Sequence, residues 1–334
     1  MMSLKTWLLD FLNCSDIYTR FSAFDWITKE PYSGFIICNG VKYMIKRGIL
    51  SAIPKKVYKS LAKIKGLYET LPETPWLASE NDYVKHMRVA HFSLLKKGVN
   101  HLRVKEGSIL CLGCGWGWEI WTLLRLLKNP TNFKFVGLDI ARKPLKRARL
   151  IAIRKKLYNL DFIVAPVESL PFKSNSFDMV TAIFGALDHT ENYIKAFKEL
   201  SRVLKPGGIG VITLLNKFSL DWILRVIFNP KLFIKTVKKA KEPLTRITIP
   251  INKKTSIRIP THYYNPLEIR LLIKKADLEV LYTLGIFTLL PMNFKLKKFK
   301  KGHKMLSRIE RLLWEKPLVR SLGRYISLVV RKKW

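Results

Sequence analysis

Three glycines and an aspartate have the spacing of a site for a nucleoside cofactor. Residues 109–119 read ILCLGCGWGWE, so an apolar run is followed by Gly113, Gly115 and Gly117 and then by a helical pattern. Glycine is needed where the backbone turns sharply and approaches a ligand, because a Cβ would clash there. Asp139 ends the next apolar run, where a carboxylate can hold both hydroxyls of a ribose. The spacing therefore predicts a nucleoside bound at the ends of two neighbouring strands.

The spacing inside the glycine loop argues against two other kinds of nucleotide site. A dinucleotide fingerprint reads Gly-x-Gly-x-x-Gly, and its third glycine lets the helix pack closely on the strand. Here the spacing is Gly-x-Gly-x-Gly, and the bulky indole of Trp118 stands at the place of the third fingerprint glycine. No Gly-Lys-Ser/Thr follows either, so the phosphate-binding P-loop pattern is not met.

Four further motifs follow the glycine loop in order along the chain. They are VESLPF at 167–172, SFDMV at 176–180, LDH at 187–189 and RVLKPGG at 202–208. With these motifs the chain resembles the class I S-adenosylmethionine-dependent methyltransferases, in the small-molecule branch called type 11. The resemblance runs from about Ser108 to Asn216 and continues more weakly to the C-terminus. It implies S-adenosyl-L-methionine as the cofactor and methyl transfer as the activity.

The resemblance also implies which residues surround the cofactor. Those expected at its methionine part are Gly113, Cys114, Gly115, Gly117, Ala182 and Ile183. Those expected at its nucleoside part are Asp139 at the ribose hydroxyls, Ile140 and Val167 on the two faces of the adenine, and Glu168 near the adenine amino group.

Two positions depart from the family pattern. Many members carry an acidic residue where Cys111 stands, two residues before the first glycine, and many carry Asp at the position of Pro166. The first change weakens the hold on the ammonium group of the cofactor, and the second removes a polar partner of the adenine edge. A lower cofactor affinity is therefore expected.

Two histidines are candidate catalytic residues. A methyl group on a sulfonium is already activated, so a base is needed only when the acceptor must lose a proton. His189 follows the strand at 179–184, at the sheet edge where such folds bind ligands, and His262 comes just before the last core helix. No metal site is predicted, because Cys111 and Cys114 lie in a strand and a turn with no second Cys/His pair nearby.

The order of apolar runs predicts an α/β fold. From Ser108 onward, strands without polar alternation alternate with helices, as in a doubly wound, mostly parallel sheet covered on both faces. We expect seven strands, with an antiparallel last strand at 325–330. Residues 1–100 are predicted to form a helical N-terminal extension that caps the cleft. Residues 101–334 are predicted to form the methyltransferase domain, with basic helical insertions at 217–260 and 294–320.

The charge of the chain is high and uneven. The 334 residues carry a formal net charge of +37, and residues 216–334 alone hold 28 Lys/Arg and only 7 Asp/Glu. Such a field attracts nucleic acid, anionic lipid or a phosphorylated substrate, although a solvated thermophile surface would look similar. Glutamine is absent, which is typical of a thermophile, while an AT-rich genome could also favour lysine.

The compartment is predicted from what the sequence lacks. No apolar run reaches the ~18 residues that span a bilayer, and no secretory signal is visible. We therefore expect a cytoplasmic protein with reduced thiols, in peripheral contact with a membrane if it binds lipid.

The acceptor is left open between two hypotheses. A small or lipid-like acceptor is favoured, because the aromatic stretch at 218–228 and the lysines after it suit an amphipathic helix on an anionic membrane. The alternative is RNA bound by the basic C-terminal third. Against it, FGAL stands at 184–187 in place of the Asn/Asp-Pro-Pro-Tyr/Phe motif of amino-group nucleic-acid methyltransferases. A third reading is a non-catalytic protein that binds the cofactor.

Overall fold

The fold is described from a computed structural model of the full chain. The residues that it describes are 6–24, 31–53, 62, 65–66, 68–69, 82–228, 245–250, 256–289 and 300–334. Statements below refer to these residues.

Strands and helices alternate through most of the described chain. The strands are β1 (Ile17–Phe24), β2 (Pro31–Cys38), β3 (Val41–Lys46), β4 (Ile49–Ser51), β5 (Gly107–Leu112), β6 (Phe133–Asp139), β7 (Leu160–Val164), β8 (Phe177–Ala182), β9 (Leu204–Leu215), β10 (Thr245–Pro250), β11 (Ser256–Thr261), β12 (Leu278–Ile286) and β13 (Tyr325–Lys332). The α-helices are α1 (Asp82–His101), α2 (Trp118–Leu126), α3 (Arg142–Arg154), α4 (Tyr193–Val203), α5 (Leu220–Phe228), α6 (Pro266–Lys275), α7 (Lys300–Leu313) and α8 (Pro317–Leu322). Short 3₁₀ helices occur at Thr6–Phe11 and Pro130–Asn132.

One mixed sheet organises the molecule. Its eleven strands run in the order β1-β2-β3-β4-β7-β6-β5-β8-β9-β13-β12. The pairs from β4 to β9 are parallel, and β13 is antiparallel to both of its neighbours. The doubly wound α/β fold and the antiparallel closing strand therefore follow the sequence prediction. The predicted count of seven is wrong, because four strands from 17–51 continue the sheet beyond β7.

The N-terminal region corrects the prediction of a helical extension. The prediction holds for α1, but residues 17–51 form antiparallel strands. The turns between these strands are Asn39-Gly40 and Arg47-Gly48, with all four residues at positive φ. Two-residue turns of this kind match the right-handed twist of the flanking strands, and Asn-Gly is a strong sequence signal for them. The sequence itself therefore carries a signal for this hairpin, which contradicts a wholly helical extension.

Two apolar cores cover the two faces of the sheet. On one face α1, α2 and α3 contribute buried side chains such as Leu94, Leu123 and Leu145. On the other face α4 and α6 contribute Phe197 and Leu272. Because both faces are covered, β5, β7 and β8 are buried along almost their whole length, which explains their continuous apolar character.

Among the described residues, the first predicted insertion is only partly helical, whereas the second is mainly helical. The first contains α5 and a two-stranded antiparallel sheet, β10–β11, which was not predicted. The second contains α7 and α8, and buried Glu310 of α7 joins it to the core. The Glu310 carboxylate accepts hydrogen bonds from the backbone of Phe287 and Leu289 and lies 3.1 Å from His86 Nε2 of α1. The basic stretch at 231–241 lies outside the described residues.

Two of the cysteines are paired. Cys14 and Cys38 form a disulfide, so the expectation of reduced thiols is wrong for this pair. It connects the segment before β1 to the end of β2.

None of the helices in the described ranges combines the length and the apolar character that a bilayer crossing requires.

Candidate cofactor and acceptor cleft

A cleft of about 300 Å³ opens at the carboxyl ends of β5, β6, β7 and β8. This is the edge of a doubly wound sheet at which ligands bind, and the volume lies at the lower end for small-molecule sites. Most of the wall comes from loops after these strands, while Tyr68, His91 and Tyr325 reach it from distant parts of the chain.

The glycine loop brings backbone into the cleft. Gly113 and Gly115 line it at φ +64° and +51°, a conformation that disfavours side chains. A Cβ at Gly113 would lie 2.8 Å from the Cβ of Ala186, whereas the side of Gly115 where a Cβ would project is open. The loop therefore offers a close, unobstructed backbone approach to a ligand. Gly117, which precedes α2, does not line the cleft, and Cys114 does.

Asp139 connects the loop to the next strand. Its Oδ2 accepts a hydrogen bond from the Gly115 N–H and its Oδ1 one from the Ala141 N–H, both at 2.9 Å. Burial raises the pKa of Asp139 to about 6, against the lowering effect of these two hydrogen bonds. Each oxygen keeps further lone-pair capacity for ligand hydroxyls. The carboxylate is thus fixed in position and mostly ionised at neutral pH.

The other residues expected at the nucleoside lie along the same wall. Ile140, Val167 and Glu168 line the cleft, as does Pro166. The Glu168 Oε1 accepts a hydrogen bond from the Glu191 N–H at 2.9 Å, and burial raises the pKa of Glu168.

Of the two neighbouring residues predicted at the methionine part of the cofactor, Ala182 and Ile183, only one lines the cleft. Ile183 lines the cleft, whereas Ala182 is fully buried inside β8 and does not reach it.

Glu119 is a cleft residue that sequence reasoning missed. It lies in the first turn of α2, lines the cleft and is only 5% exposed. Burial raises the pKa of its carboxyl to about 8, helped by the nearby charge of Asp139. It also lies close enough to Cys111 to contribute to the raised pKa of that thiol. The signal available in the sequence was an acidic residue in an otherwise apolar helix start.

His91 is a second cleft residue that was missed. It lies on α1, is 2% exposed and stacks on Phe184, with ring centroids 6.1 Å apart. Burial lowers the pKa of His91 to about 3, so the ring is neutral. Its Nδ1 has no hydrogen-bond partner among the described residues. Leaving such a group unpaired costs about 1–3 kcal/mol, which is unusual in a protein interior.

His189 also lines the cleft. Its Nδ1 lies 3.1 Å from Thr261 Oγ1 and 3.4 Å from the carbonyl oxygen of Pro260. Because a carbonyl only accepts, Nδ1 carries the proton, and Nε2 beside Gly185 is left as an acceptor. Burial lowers the pKa of His189 to about 4.

His262, the other predicted catalytic histidine, does not reach the cleft. Its Nε2 lies 2.7 Å from Glu268 Oε1, and its ring stacks on Tyr193 with centroids 3.8 Å apart. The geometry gives His262 a packing role that secures the start of α6, where Asn265 and Glu268 form a capping box.

The N-terminal region contributes Tyr68 to the cleft. The neighbouring Glu69 carboxylate accepts hydrogen bonds from the N–H groups of Arg142 and Lys143, at 2.7 and 3.2 Å. These are unpaired donors at the start of α3, so Glu69 caps that helix. The cap fixes Tyr68 beside the cleft.

The charge of the cleft contrasts with that of the whole protein. Its lining contains the carboxyl groups of Glu119, Asp139 and Glu168 and no lysine or arginine among the described residues. No group of three or more His, Cys, Asp or Glu side chains in the described ranges is arranged to hold a metal ion. The open backbone at Gly115 and these acids fit a nucleoside that carries positive charge.

The comparisons with known proteins agree with this geometry. Residues 109–208 match the family profile of a methyltransferase domain. An uncharacterized protein of Methanocaldococcus jannaschii is 34% identical over 204 residues, which cover 60% of this chain and 71% of that protein. The demethylmenaquinone methyltransferase of Listeria monocytogenes is 30% identical over 155 residues, 46% of this chain and 60% of that enzyme. The match thus spans less than two thirds of the latter.

A solved structure similar in fold is that of an S-adenosylmethionine-dependent methyltransferase from Clostridium acetobutylicum. It has a TM-score of 0.48 and 15% identity, and the alignment covers 83% of this chain and 99% of that chain.

The sheet and its glycine-lined cleft define a nucleoside-binding α/β protein. Within that fold, residues 109–208 form a methyltransferase domain of the class I S-adenosylmethionine-dependent kind. Its cofactor is S-adenosyl-L-methionine, which supplies an activated methyl group.

Proposed function

We propose that this enzyme methylates a lipid-like acceptor with a planar ring, at the surface of an anionic membrane. The observation that carries the proposal is the aromatic wall of the cleft around Phe184. Phe184 contacts His91 on one side and Tyr325 on the other, with ring centroids 6.1 and 5.3 Å apart. Flat apolar walls with few polar groups suit a planar, weakly polar ligand.

The relatives support the same class of acceptor. Several are named demethylmenaquinone methyltransferases, which indicates a quinone-type lipid as the acceptor in those proteins. The shared region is 155 residues long and covers 46% of this chain. We extend the acceptor class to this protein as part of the proposal.

Support for His189 as the general base comes from its tautomer. With the proton on Nδ1, the Nε2 lone pair beside Gly185 is available to take a proton from an acceptor in the cleft. The pKa of about 4 makes His189 a weak base that is always neutral at physiological pH. His91, with an unpaired Nδ1, is proposed to position the acceptor by a hydrogen bond.

Exposed apolar side chains on two insertion helices support docking on a membrane. On α7 and α8 these are Met305, Ile309, Leu312 and Leu318, the last two 76% and 82% exposed. Exposed Arg308 and Lys316 lie among them. Apolar side chains flanked by cations suit the headgroup region of an anionic bilayer.

This surface is connected to the mouth of the cleft. The Asn216 side chain donates to the carbonyls of Ser321 and Gly323, so the start of the first insertion is joined to the end of α8. Arg324 follows directly, and then Tyr325 of the cleft wall. A peripheral location on the cytoplasmic face of a membrane is part of the proposal.

The test is methyl transfer from radiolabelled S-adenosylmethionine with two acceptors in parallel. Phosphatidylglycerol vesicles that contain demethylmenaquinone should yield label in the lipid extract, and transfer RNA should yield none. Label in the RNA, with binding that persists at moderate salt while vesicles fail to bind, would replace the proposal with the RNA alternative.

The docking surface is tested by co-sedimentation with the same vesicles. The double variant Leu312→Ser/Leu318→Ser should lose most vesicle binding, since each exposed leucine contributes about 1.5 kcal/mol or more when inserted. The matched control, Leu150→Ser/Leu267→Ser, changes two leucines that are also exposed but lie on α3 and α6. Equal loss in both variants would show that this surface is not specific.

A further inference from the structure

Glu119 is a buried carboxyl group without a cationic partner. Within the described residues its carboxyl is hydrogen-bonded to its own backbone N–H and forms no ion pair. Its neighbours Cys111, Cys114 and Asp139 are neutral or acidic groups. A charged side chain is rarely buried without a partner, because removing the ionised form from water is unfavourable. The partner must therefore come from a ligand, or the group must stay protonated.

The cofactor is the ligand that brings positive charge to this cleft. S-Adenosylmethionine carries a sulfonium and a primary ammonium, and the cleft wall has no lysine or arginine to compete for carboxyl groups. A carboxylate that accepts from an ammonium forms one of the stronger hydrogen bonds in proteins.

Glu119 lies near both Cys111 of β5 and Asp139 of β6. The residues expected around ribose and adenine follow β6 and β7. Cys111 is paired in register with Thr181 of β8, the strand that leads to Ile183. Through Cys111, Glu119 thus borders the β5–β8 side of the cleft, where the methionine part is expected.

We propose that Glu119 binds the ammonium group of S-adenosylmethionine and supplies the negative charge that the chain lacks at Cys111. The carboxyl comes from the first turn of α2 instead of from β5, and it lines the cleft. This assignment concerns the cofactor and is independent of the acceptor proposed above.

The test compares three nucleosides on Glu119→Gln by isothermal titration, with no acceptor present. S-Adenosylmethionine has both cations, S-adenosylhomocysteine has only the ammonium, and 5′-methylthioadenosine has neither. We expect about 10- to 100-fold weaker binding of the first two, as for a lost hydrogen bond to a charged group, and unchanged binding of the third.

Two outcomes would overturn the assignment. A loss confined to S-adenosylmethionine would mean that Glu119 faces the sulfonium. An equal loss for 5′-methylthioadenosine would mean a general effect on the cleft. The matched control is Glu168→Gln, a buried cleft carboxyl at the nucleoside end, which should weaken all three ligands alike.

A second variant guards against misfolding of the first. The double variant Cys111→Asp/Glu119→Gln carries a carboxylate on β5 in place of the one on α2. It should recover most of the affinity for S-adenosylhomocysteine that Glu119→Gln loses. Failure of this rescue, with the unliganded Tm of both variants unchanged, would also contradict the proposal.

A proton count gives an independent readout. With a pKa near 8, Glu119 is mostly protonated at pH 7 and must ionise when it pairs with an ammonium. Titration in buffers of different ionisation enthalpy should detect close to one proton released per S-adenosylhomocysteine at pH 7, and much less for Glu119→Gln. Asp139, with a pKa of about 6, is mostly ionised already and adds little.

Discussion

The cofactor half and the acceptor half of the cleft are built in different ways. In the cofactor half, Asp139 holds the glycine loop through a backbone hydrogen bond, and every wall residue from Gly113 to Glu168 lies within the matched domain. In the acceptor half, His91 comes from α1, His189 from the loop after β8, and Tyr325 from the start of β13. The shape of the first half is set by local backbone geometry. The second half is formed by side chains that are far apart in the sequence and meet in the fold.

This difference matches what each half has to do. A fixed ligand is held well by preorganised backbone and one anchored carboxylate, which short motifs encode. The side chains of the other half come both from the matched domain, as His189 does, and from outside it, as His91 and Tyr325 do, so they can change without disturbing the loop. The difference predicts that substitutions in the first half alter cofactor affinity and that those in the second alter turnover or acceptor affinity.

The largest expected effect is that of Asp139→Asn on cofactor binding. Asparagine turns one oxygen into an N–H donor that faces the donor of Gly115 or Ala141. It also removes the charge that we propose binds the ribose hydroxyls. With two charged hydrogen bonds weakened, S-adenosylhomocysteine should bind about 100- to 1000-fold more weakly by isothermal titration. Asp277→Asn, an exposed position, is the control. A change of less than threefold in Asp139→Asn would contradict the role of Asp139.

The next effect is on turnover, through His189→Gln. A general base contributes about 100-fold or more to rate, so kcat should fall by about that factor while the cofactor Kd stays within twofold. The control is His101→Gln on α1, whose ring faces the Lys97 carbonyl. If methyl transfer by His189→Gln stays within a few-fold of wild type, then the acceptor needs no base from this residue.

A smaller effect is expected for His91→Leu. Leucine keeps the apolar contact with Phe184 and removes the unpaired Nδ1. The KM for the acceptor should rise about tenfold, as for one hydrogen bond, with kcat within a few-fold. The Tm should stay equal or rise, because a buried polar group without a partner is removed. A fall in Tm would instead indicate that His91 stabilises the fold.

The same division explains how much the sequence could predict. The glycine loop, Asp139 and the strands around them follow from local spacing, since turns and buried strands have short-range signals. His91 is one of several polar residues on α1, and nothing local to it indicates that it faces Phe184. Ala182 and Ile183 differ only in strand register, which a one-residue step reverses.

The N-terminal strands and Glu119 left different signals in the sequence. The Asn39-Gly40 pair is a local signal for a hairpin, at odds with the predicted helical extension over residues 1–100. Glu119 is an acidic residue in an apolar helix start, and nothing local shows that its carboxyl lines the cleft. Glu119 lies eight residues after Cys111 in the chain. That its carboxyl can replace an acid at Cys111 becomes visible only when α2 is packed against β5.

The smallest effect concerns pH, and it separates the two halves in one titration. In the cofactor half the pKa of Asp139 is raised to about 6 by burial, so this carboxylate becomes protonated as pH falls from 7 to 5. In the acceptor half the pKa of His189 is lowered to about 4, so its imidazole stays neutral over the same range. In the Glu119→Gln background, where that position takes up no proton, the affinity for S-adenosylhomocysteine should therefore fall about tenfold between pH 7 and pH 5, as ionised Asp139 becomes scarce. Under saturating cofactor, kcat should stay constant within twofold.

The sign of each change makes this titration decisive. A base with an ordinary histidine pKa near 6.5 would lose most of its neutral form by pH 5, and kcat would fall more than tenfold. A constant kcat with a falling cofactor affinity means that Asp139 becomes protonated between pH 7 and pH 5 while His189 stays neutral. A falling kcat at constant affinity would reverse the assignment of the two halves, because the titrating group would then act on the acceptor and not on the cofactor.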